Sequence, residues 1–176
     1  MTREEYQSIN NTRKSVIDAQ IIHLESRLDN YQTMMDFLRQ SRKTVYIYSQ
    51  RLDGRTFDTN DFSLCIKNLL SQHRHIQIRI LLFEVDPVIK HGHRLVELAR
   101  RATSNISIKI VARQFRSNIS AFMLFDDNML IYRENAERFD GVAEIDNKKR
   151  TLELIDYFND VWEVSQEDPN FRRLHI

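Results

Sequence analysis

The stretch NISAFMLFDDNMLIYRE, residues 118–134, contains two apolar runs separated by the polar segment Asp126-Asp127-Asn128. Both runs are rich in the aromatic and aliphatic residues that favour β-strands. Aspartate and asparagine hydrogen-bond to nearby backbone and tolerate tight geometry, so the segment between the runs is typical of a turn. The stretch therefore predicts two strands joined by a turn, with a turn-forming role for Asp126 and Asp127.

Three further strands alternate with helices on the N-terminal side of this stretch. The strands are predicted in TVYIYS (residues 44–49), IQIRILLF (76–83) and ISIKIV (106–111). The segments DFSLCIKNLLSQHRH (61–75) and HGHRLVELARRA (91–102) are predicted as helices. Alternating strands and helices indicate parallel strands covered by helices. The predicted fold class is therefore α/β, with a mixed, largely parallel sheet flanked by helices.

Two more helices are predicted at the ends of the chain. Near the N-terminus, apolar residues follow one another in steps of four and three, which is typical of a helix with one narrow apolar seam: Ile17, Ile21, Leu24, Leu28, Tyr31, Met35 and Leu38. This pattern predicts a long N-terminal helix over residues 16–40, packed either on its own domain or against another subunit. Residues 1–15 are expected to be frayed. Residues 16–176 are expected to form a single domain, closed by an amphipathic helix in RTLELIDYFNDVWEVS.

The composition is that of a globular protein without a strong overall charge. The 176 residues carry a formal net charge of +1, and 41% of them are apolar. No apolar stretch approaches the roughly twenty residues of a membrane-spanning helix, and the first residues lack the apolar core of a signal peptide. The single cysteine, Cys65, excludes an internal disulfide and suits a reducing compartment. We therefore expect a cytoplasmic protein without membrane insertion.

Charged and imidazole side chains are concentrated in the segments that follow the predicted parallel strands. Ligands of α/β sheets bind beyond the C-terminal ends of the strands, so these segments are expected to meet at one site. Cations near a helix N-terminus suit a phosphate or a nucleic acid. The candidate ligand-binding residues are Arg51, His91, His93, Arg94, Arg113 and Arg116.

Residues 91–116 form the most basic window of the chain, with six lysine or arginine residues against one acid, Glu97. Since the net charge is only +1, any nucleic-acid affinity would have to come from such a local surface. Two interpretations are open. The window is either a face that binds a polyanion or a solvated face whose cations pair with acids elsewhere, for example in residues 134–146.

Metal and catalytic sites have weaker support from residue spacing. His91 and His93 would need Asp86 or Glu84 as a further metal ligand, and zinc requires three or four ligands with supporting contacts. Cys65 lies on the apolar face of its predicted helix, without an evident base beside it. We therefore predict no catalytic residue, no metal site and no cofactor.

The order of predicted elements resembles one half of the phospholipase D superfamily, an α/β fold whose members cut phosphodiesters. In that family a strand carries His-x-Lys, an aspartate follows after four more residues, and a Gly-Ser pair comes later. With Asp126 as the motif aspartate, the histidine and lysine positions hold Ile119 and Ala121, and the pair is Arg133-Glu134. The histidine is the nucleophile and the lysine neutralises phosphate charge, which isoleucine and alanine cannot do. The resemblance thus implies a degenerate motif without phosphodiesterase activity.

The chain also resembles, more closely, a bacterial family of the same presumed fold whose members are sometimes joined to GNAT-type acetyltransferase domains. The resemblance rests on four segments: YIYSQRLD (46–53), HGHRLVELARR (91–101), RFDGVA (138–143) and DPNFRRLHI (168–176). It implies the fold but brings no activity with it. Phospholipase D enzymes build one site from two halves, so resemblance to a single half implies a homodimer.

Three functions are compatible with these observations. The preferred one is a non-catalytic binding or regulatory module for a phosphate-bearing ligand or nucleic acid. The second is a protein-interaction partner of a separately encoded enzyme, such as an acetyltransferase. The third is a hydrolase with a site relocated to His91 and His93, which ranks last because no activated nucleophile or complete metal shell is evident there.

Overall fold

The computed structural model describes residues 20–84 and 92–171, which form one seven-stranded sheet flanked by helices. The strands are β1 (Gln20–Leu24), β2 (Thr44–Ser49), β3 (Gln77–Leu82), β4 (Ile106–Ile110), β5 (Ala121–Phe125), β6 (Met129–Arg133) and β7 (Gly141–Ile145), in the spatial order β1-β7-β6-β5-β2-β3-β4. The helices are α1 (Arg27–Gln40), the single turn α2 (Gly54–Phe57), α3 (Asn60–Gln72), α4 (Arg94–Arg101) and α5 (Lys148–Val164). Two 3₁₀ turns cover Arg113–Phe115 and Pro169–Phe171. The predicted α/β class with a mixed sheet is confirmed.

The parallel part of the sheet consists of β2, β3 and β4. These strands pair in chain order, with α3 and α4 in the crossovers between them. The remaining four pairings in the described part, β1–β7, β7–β6, β6–β5 and β5–β2, are antiparallel. The expectation of a largely parallel sheet is therefore wrong. The connections between β5, β6 and β7 are too short for the crossover that parallel pairing requires.

Strands β5 and β6 form the hairpin predicted from residues 118–134. Asp126 begins its turn in the left-handed region, with a φ of 52°, which aspartate tolerates better than most side chains. The Asp126 carboxylate accepts hydrogen bonds from the backbone N–H groups of Arg42, Lys43 and Thr44 at 3.0, 2.8 and 2.9 Å. The tip of the hairpin is thereby attached to the start of β2.

The helix predicted over residues 16–40 is wrong in its first half. The chain forms strand β1 up to Leu24, and helix α1 begins only at Arg27. Ser26 caps α1 by accepting a hydrogen bond from the Asp29 N–H, and the Asp29 carboxylate accepts one from the Ser26 N–H. This capping box sets the helix start, while β1 pairs with β7. The beginning of the predicted helix and the residues expected to be frayed lie outside the described residues.

Strand β7 was not predicted from its sequence, GVAEI, because glycine, alanine and glutamate are uncommon in strands. The glycine is needed where it stands. A Cβ at Gly141 would lie 2.5 Å from the carbonyl oxygen of Tyr132 on the neighbouring strand. The close approach of β6 and β7 therefore requires the absence of a side chain at this position.

Apolar cores lie on both faces of the sheet. Helices α1, α3 and α4 cover one face, and α5 covers the other. The core under α5 is mainly aromatic and includes Tyr46, Tyr48, Phe122, Phe158 and Trp162. The amphipathic helix predicted in RTLELIDYFNDVWEVS agrees with this packing. Among the helices described, none is both long and apolar enough to cross a membrane.

Candidate functional site

A cavity of about 420 Å³ lies between α1, the segment after β2, and strands β2, β5 and β6. Five of its apolar lining residues belong to the core on the α1 face of the sheet: Met34, Ile47, Phe57, Met123 and Ile131. It opens beside the C-terminal end of β2, the edge at which α/β sheets bind ligands. Its volume is typical of a small-molecule site.

Four arginines line this cavity, which we therefore call the arginine cavity: Arg27 on α1, Arg51 and Arg55 in the segment after β2, and Arg133 at the end of β6. Two carboxylates, Asp53 and Glu137, also line it. Asp53 is already engaged as the N-cap of α2, accepting hydrogen bonds from the Arg55 N–H at 3.2 Å and the Thr56 hydroxyl at 3.0 Å. The lining thus carries surplus positive charge, which suits an anion.

Arg133 is the least exposed of the four arginines. Its Nη1 donates a hydrogen bond to the carbonyl oxygen of Arg138 at 3.0 Å, and its Cζ lies 5.7 Å from the centroid of the Phe139 ring. Burial lowers the pKa of Arg133, an effect that the Asp53 carboxylate opposes. Within the described part of the chain, Arg133 forms no ion pair.

Of the five predicted ligand-binding residues that the structure describes, Arg51 is the one that lines the arginine cavity. Its Nε lies 3.9 Å from Oε2 of Glu84, and both side chains are 56% exposed. Such a loose, solvated pair contributes little and leaves the guanidinium accessible to a ligand.

Sequence reasoning missed the other three arginines of the cavity: Arg27, Arg55 and Arg133. Arg27 was missed because the start of α1 at this residue was not predicted, and Arg55 lies between the first predicted strand and the helix predicted over residues 61–75, where no element was predicted. A signal existed for Arg133, because a hairpin centred on Asp127 places it opposite Ala121. The register of the predicted hairpin therefore already paired an arginine with the motif's lysine position.

His91 lies outside the described residues, and His93 and Arg94 form the start of α4. His93 is 6% exposed, and its Nδ1 accepts a hydrogen bond from the Leu95 N–H at 3.2 Å. Burial lowers the pKa of His93, although Asp58 opposes this effect, so burial disfavours the cationic form of the imidazole. The N–H and Nη1 of Arg94 both donate to Asp58, each at 2.6 Å. These contacts hold α4 in place.

Arg113 and Arg116 line a second cavity, of about 430 Å³, beyond the end of β4. Glu167 and Asp168 also line it, and the Arg116 Nε donates to the carbonyl oxygen of Val111 at 3.1 Å. Strand β3 separates β4 from β2, so the second cavity lies roughly 10 Å along the sheet edge from the end of β2. The described candidates are thus divided between two cavities and the start of α4.

The other residues considered as metal ligands or catalytic groups have surroundings that suit structural roles. The described residues contain no group of three or more His, Cys, Asp or Glu side chains suited to a metal ion. Cys65 is half-buried on α3, and burial raises the pKa of its thiol. Asp126 bonds to the backbone before β2, whereas Asp127 lies 2.9 Å from the Lys148 ammonium. The two aspartates therefore have different partners and do not act as a carboxylate pair.

The positions compared with the phospholipase D motif lie at the two ends of β5. Ala121, at the first end, is 3% exposed and lines the arginine cavity. Ile119 precedes it, is 56% exposed, and accepts a hydrogen bond on its carbonyl oxygen from the Ala136 N–H at 2.7 Å. Asp126 follows the other end of β5. Across from Ala121, Arg133 brings a guanidinium to the same cavity.

The sequence matches the model of a protein family, described as a domain of unknown function (DUF7931), over residues 26–174. No protein with a curated description matches it. Its fold is similar to NucT from Helicobacter pylori, with a TM-score of 0.61 and 14% identity over 86% of this chain and 99% of that chain. Nuc from Salmonella typhimurium, a phospholipase D family member, has a TM-score of 0.57 and 10% identity over the same shares.

The fold is also similar to TrmBL2, an archaeal chromatin protein whose structure shows a novel mode of DNA binding. The TM-score is 0.62 at 9% identity, over 94% of this chain. This chain spans 62% of the length of TrmBL2. At these identities the similarities show the fold alone. The phospholipase D-like fold predicted from the order of elements is confirmed.

Proposed function

The chain belongs to the DUF7931 family, and we propose that it is a non-catalytic binding module that holds a phosphate-bearing ligand in the arginine cavity. The observation that supports this is the charge of the lining, which contains four guanidinium groups and two carboxylates. Guanidinium groups form paired, charge-assisted hydrogen bonds with phosphate oxygens. Partial burial strengthens these bonds, because the apolar lining lowers the local dielectric constant.

Among the described residues that line the same cavity, the groups that phosphodiester cleavage would need are absent. The motif's histidine and lysine positions hold Ile119 and Ala121, whose hydrocarbon side chains neither attack phosphorus nor neutralise charge in a transition state. No histidine or lysine is found in the described lining. We therefore propose that the motif is degenerate and that the cavity binds its ligand without turnover.

Charge reversal in the arginine cavity should weaken phosphate binding. We expect Arg51→Glu/Arg55→Glu to lower the affinity for ethyl phosphate by about tenfold or more, because two attractive charges become repulsive. Isothermal titration calorimetry at low and moderate salt measures the effect. The matched control is Lys67→Glu/Arg74→Glu, which makes the same change in net charge at exposed positions outside the cavity. Equal affinities for the two variants, or no phosphate binding by the native chain, would contradict the proposal.

The second cavity is our candidate for nucleic-acid contact, since Arg113 and Arg116 are exposed at the same edge of the sheet. Arg113→Glu/Arg116→Glu is expected to weaken binding to a short labelled duplex or single strand and to flatten its salt dependence, because fewer counterions are released. Fluorescence anisotropy across a salt series provides both quantities. Unchanged affinity and salt slope in this variant would remove these arginines from any nucleic-acid interface.

The proposal also concerns the protein partners of the chain, which are a second copy of itself or a separately encoded enzyme. We propose a homodimer, as resemblance to a single phospholipase D-like half implies, and its mass in solution by light scattering tests this. Interaction with a separately encoded acetyltransferase is the alternative function. It predicts co-purification with that enzyme and no salt-sensitive affinity for nucleic acid.

A further inference from the structure

Building on the proposed function, we infer that the ligand of the arginine cavity is an amphipathic phosphomonoester. In this arrangement a single terminal phosphate lies beside Arg133, and the apolar group that carries it packs on the core side chains of the lining. The inference rests on the charge of the lining, the surroundings of Arg133, and the polar groups that the lining offers.

The charge of the lining fits a phosphomonoester better than a phosphodiester. Counting only the side chains that line the cavity, four guanidinium groups and two carboxylates leave a surplus of two positive charges; the Glu84 carboxylate, 3.9 Å from Arg51, lies outside this lining and is exposed to solvent. A phosphomonoester carries about −1.5 to −2 near pH 7 and therefore nearly balances this surplus. A phosphodiester carries a single negative charge and would leave half of the surplus without a counter-charge.

Arg133 supplies the cation with the strongest need for an anionic partner. One of its nitrogens is bonded to the Arg138 carbonyl, which leaves most of its five N–H donors for a ligand. The Asp53 carboxylate offsets only part of the cost of burying this cation, and a bound phosphate would offset more of it. Opposite it, the small side chain of Ala121 leaves room in the lining that a lysine would fill.

The rest of the lining favours an apolar group over a sugar or a base. The side-chain donors of Asn30, Ser49 and Thr56 all bond within the chain, to carbonyl oxygens or to the Asp53 carboxylate, at 2.7–3.0 Å. Among the neutral polar side chains of the lining, this leaves chiefly the Gln50 amide for a nucleobase, and burying its other polar edges without partners is unfavourable. An alkyl or aryl group has no polar edges that would lose hydrogen bonds there, and its transfer from water to the apolar lining is favourable.

A homologous series of phosphates tests the inference on the full chain. Calorimetric titration with ethyl, butyl and hexyl phosphate should show affinity rising with chain length, because each buried methylene contributes up to about a fourfold gain. Hexyl phosphate is expected to bind more than about tenfold tighter than ethyl phosphate. Hexanol lacks the phosphate and adenosine monophosphate lacks the apolar group, so both should bind more weakly than hexyl phosphate.

Variants at Arg133 identify the phosphate contact. Arg133→Gln should lower the affinity for hexyl phosphate by about tenfold or more, since it removes the charge while keeping a polar side chain. Arg133→Lys restores the charge and should recover part of the affinity. The matched control, Arg74→Gln, removes an exposed charge outside the cavity and should leave binding unchanged. Thermal unfolding of each variant verifies that it is folded.

The outcomes separate this inference from the function on which it rests. Equal affinities for ethyl and hexyl phosphate, both lost in Arg51→Glu/Arg55→Glu, would overturn the amphipathic ligand and leave phosphate binding in place. Tighter binding of adenosine monophosphate than of hexyl phosphate would overturn it in favour of a nucleotide. Tight binding of hexanol, or full affinity in Arg133→Gln, would overturn the role of the phosphate at Arg133. Failure of every phosphate to bind would overturn both proposals.

Discussion

Replacing Asp126 with alanine should lower the free energy of unfolding by about 3 kcal/mol, because one carboxylate satisfies three backbone N–H groups. Oδ1 accepts from Lys43 and Thr44 at 2.8 and 2.9 Å, and Oδ2 accepts from Arg42 at 3.0 Å. Alanine also tolerates the φ of 52° less well, and this backbone strain adds roughly 1 kcal/mol to the loss from the hydrogen bonds. Urea denaturation followed by circular dichroism measures the loss.

The neighbouring aspartate provides the control for this prediction. Asp127 is exposed and pairs with Lys148 on the surface, so Asp127→Ala is expected to cost less than about 1 kcal/mol. Asp126→Asn should fall between the two, since the amide keeps one acceptor but turns a donor toward a backbone N–H. If Asp126→Ala proved no more destabilising than Asp127→Ala, the anchoring role of Asp126 would be wrong.

This anchoring role gives a structural reason for an aspartate at position 126 that does not depend on phosphodiester chemistry. Ala121 lines the arginine cavity at one end of β5, whereas Asp126 follows the opposite end and bonds to the backbone before β2. The aspartate therefore acts on the fold and does not reach the cavity. If the motif is degenerate, as we propose, the positions at one end of the strand can change while the anchor at the other end is still required.

The parts of the fold that were predictable are those whose local pattern and tertiary environment agree. β2 is buried along nearly its whole length, and TVYIYS predicts its bounds correctly. The apolar spacing of four and three residues near the N-terminus predicted one long helix, but it runs across both β1 and α1. The Ser26–Asp29 capping box was the local signal that contradicted a continuous helix. β7 had no such signal, since its pairing depends on β1 and β6.

The candidate site was predictable only in part, for a related reason. Loops after parallel strands indicated Arg51, which does line the cavity. The cavity, however, is completed by α1 and by the antiparallel strand β6, which contribute Arg27 and Arg133. Their convergence is a tertiary property that residue spacing along the chain does not express. His93 shows the reverse case, a polar side chain in a promising loop that helix capping buries.

Replacing Glu144 with alanine should also lower the free energy of unfolding by about 3 kcal/mol, because it breaks a buried ion pair. Glu144 on β7 is 3% exposed, and its two carboxylate oxygens accept hydrogen bonds from Arg150 and Asn147. The Arg150 guanidinium also lies 4.9 Å from the ring centroid of Tyr132. This loss lies at the lower end of the destabilisation expected when one partner of a buried ion pair is removed, since the Arg150 side chain is 36% exposed and can reach water. Urea denaturation measures this loss as well.

The pair also sets the start of α5, which gives the prediction a second readout. Asn147 is the N-cap of that helix and accepts the Arg150 N–H on its Oδ1 at 3.1 Å, while its Nδ2 donates to Glu144. Without Glu144 the amide loses the contact that orients it, so backbone amides in the first turn of α5 should exchange hydrogen faster. Glu144→Met/Arg150→Met removes both charges and should be less destabilising than Glu144→Met alone, because no charge is left without its partner. A double variant that is the less stable of the two would instead show that Arg150 stabilises α5 through contacts other than Glu144, chiefly its stacking on Tyr132.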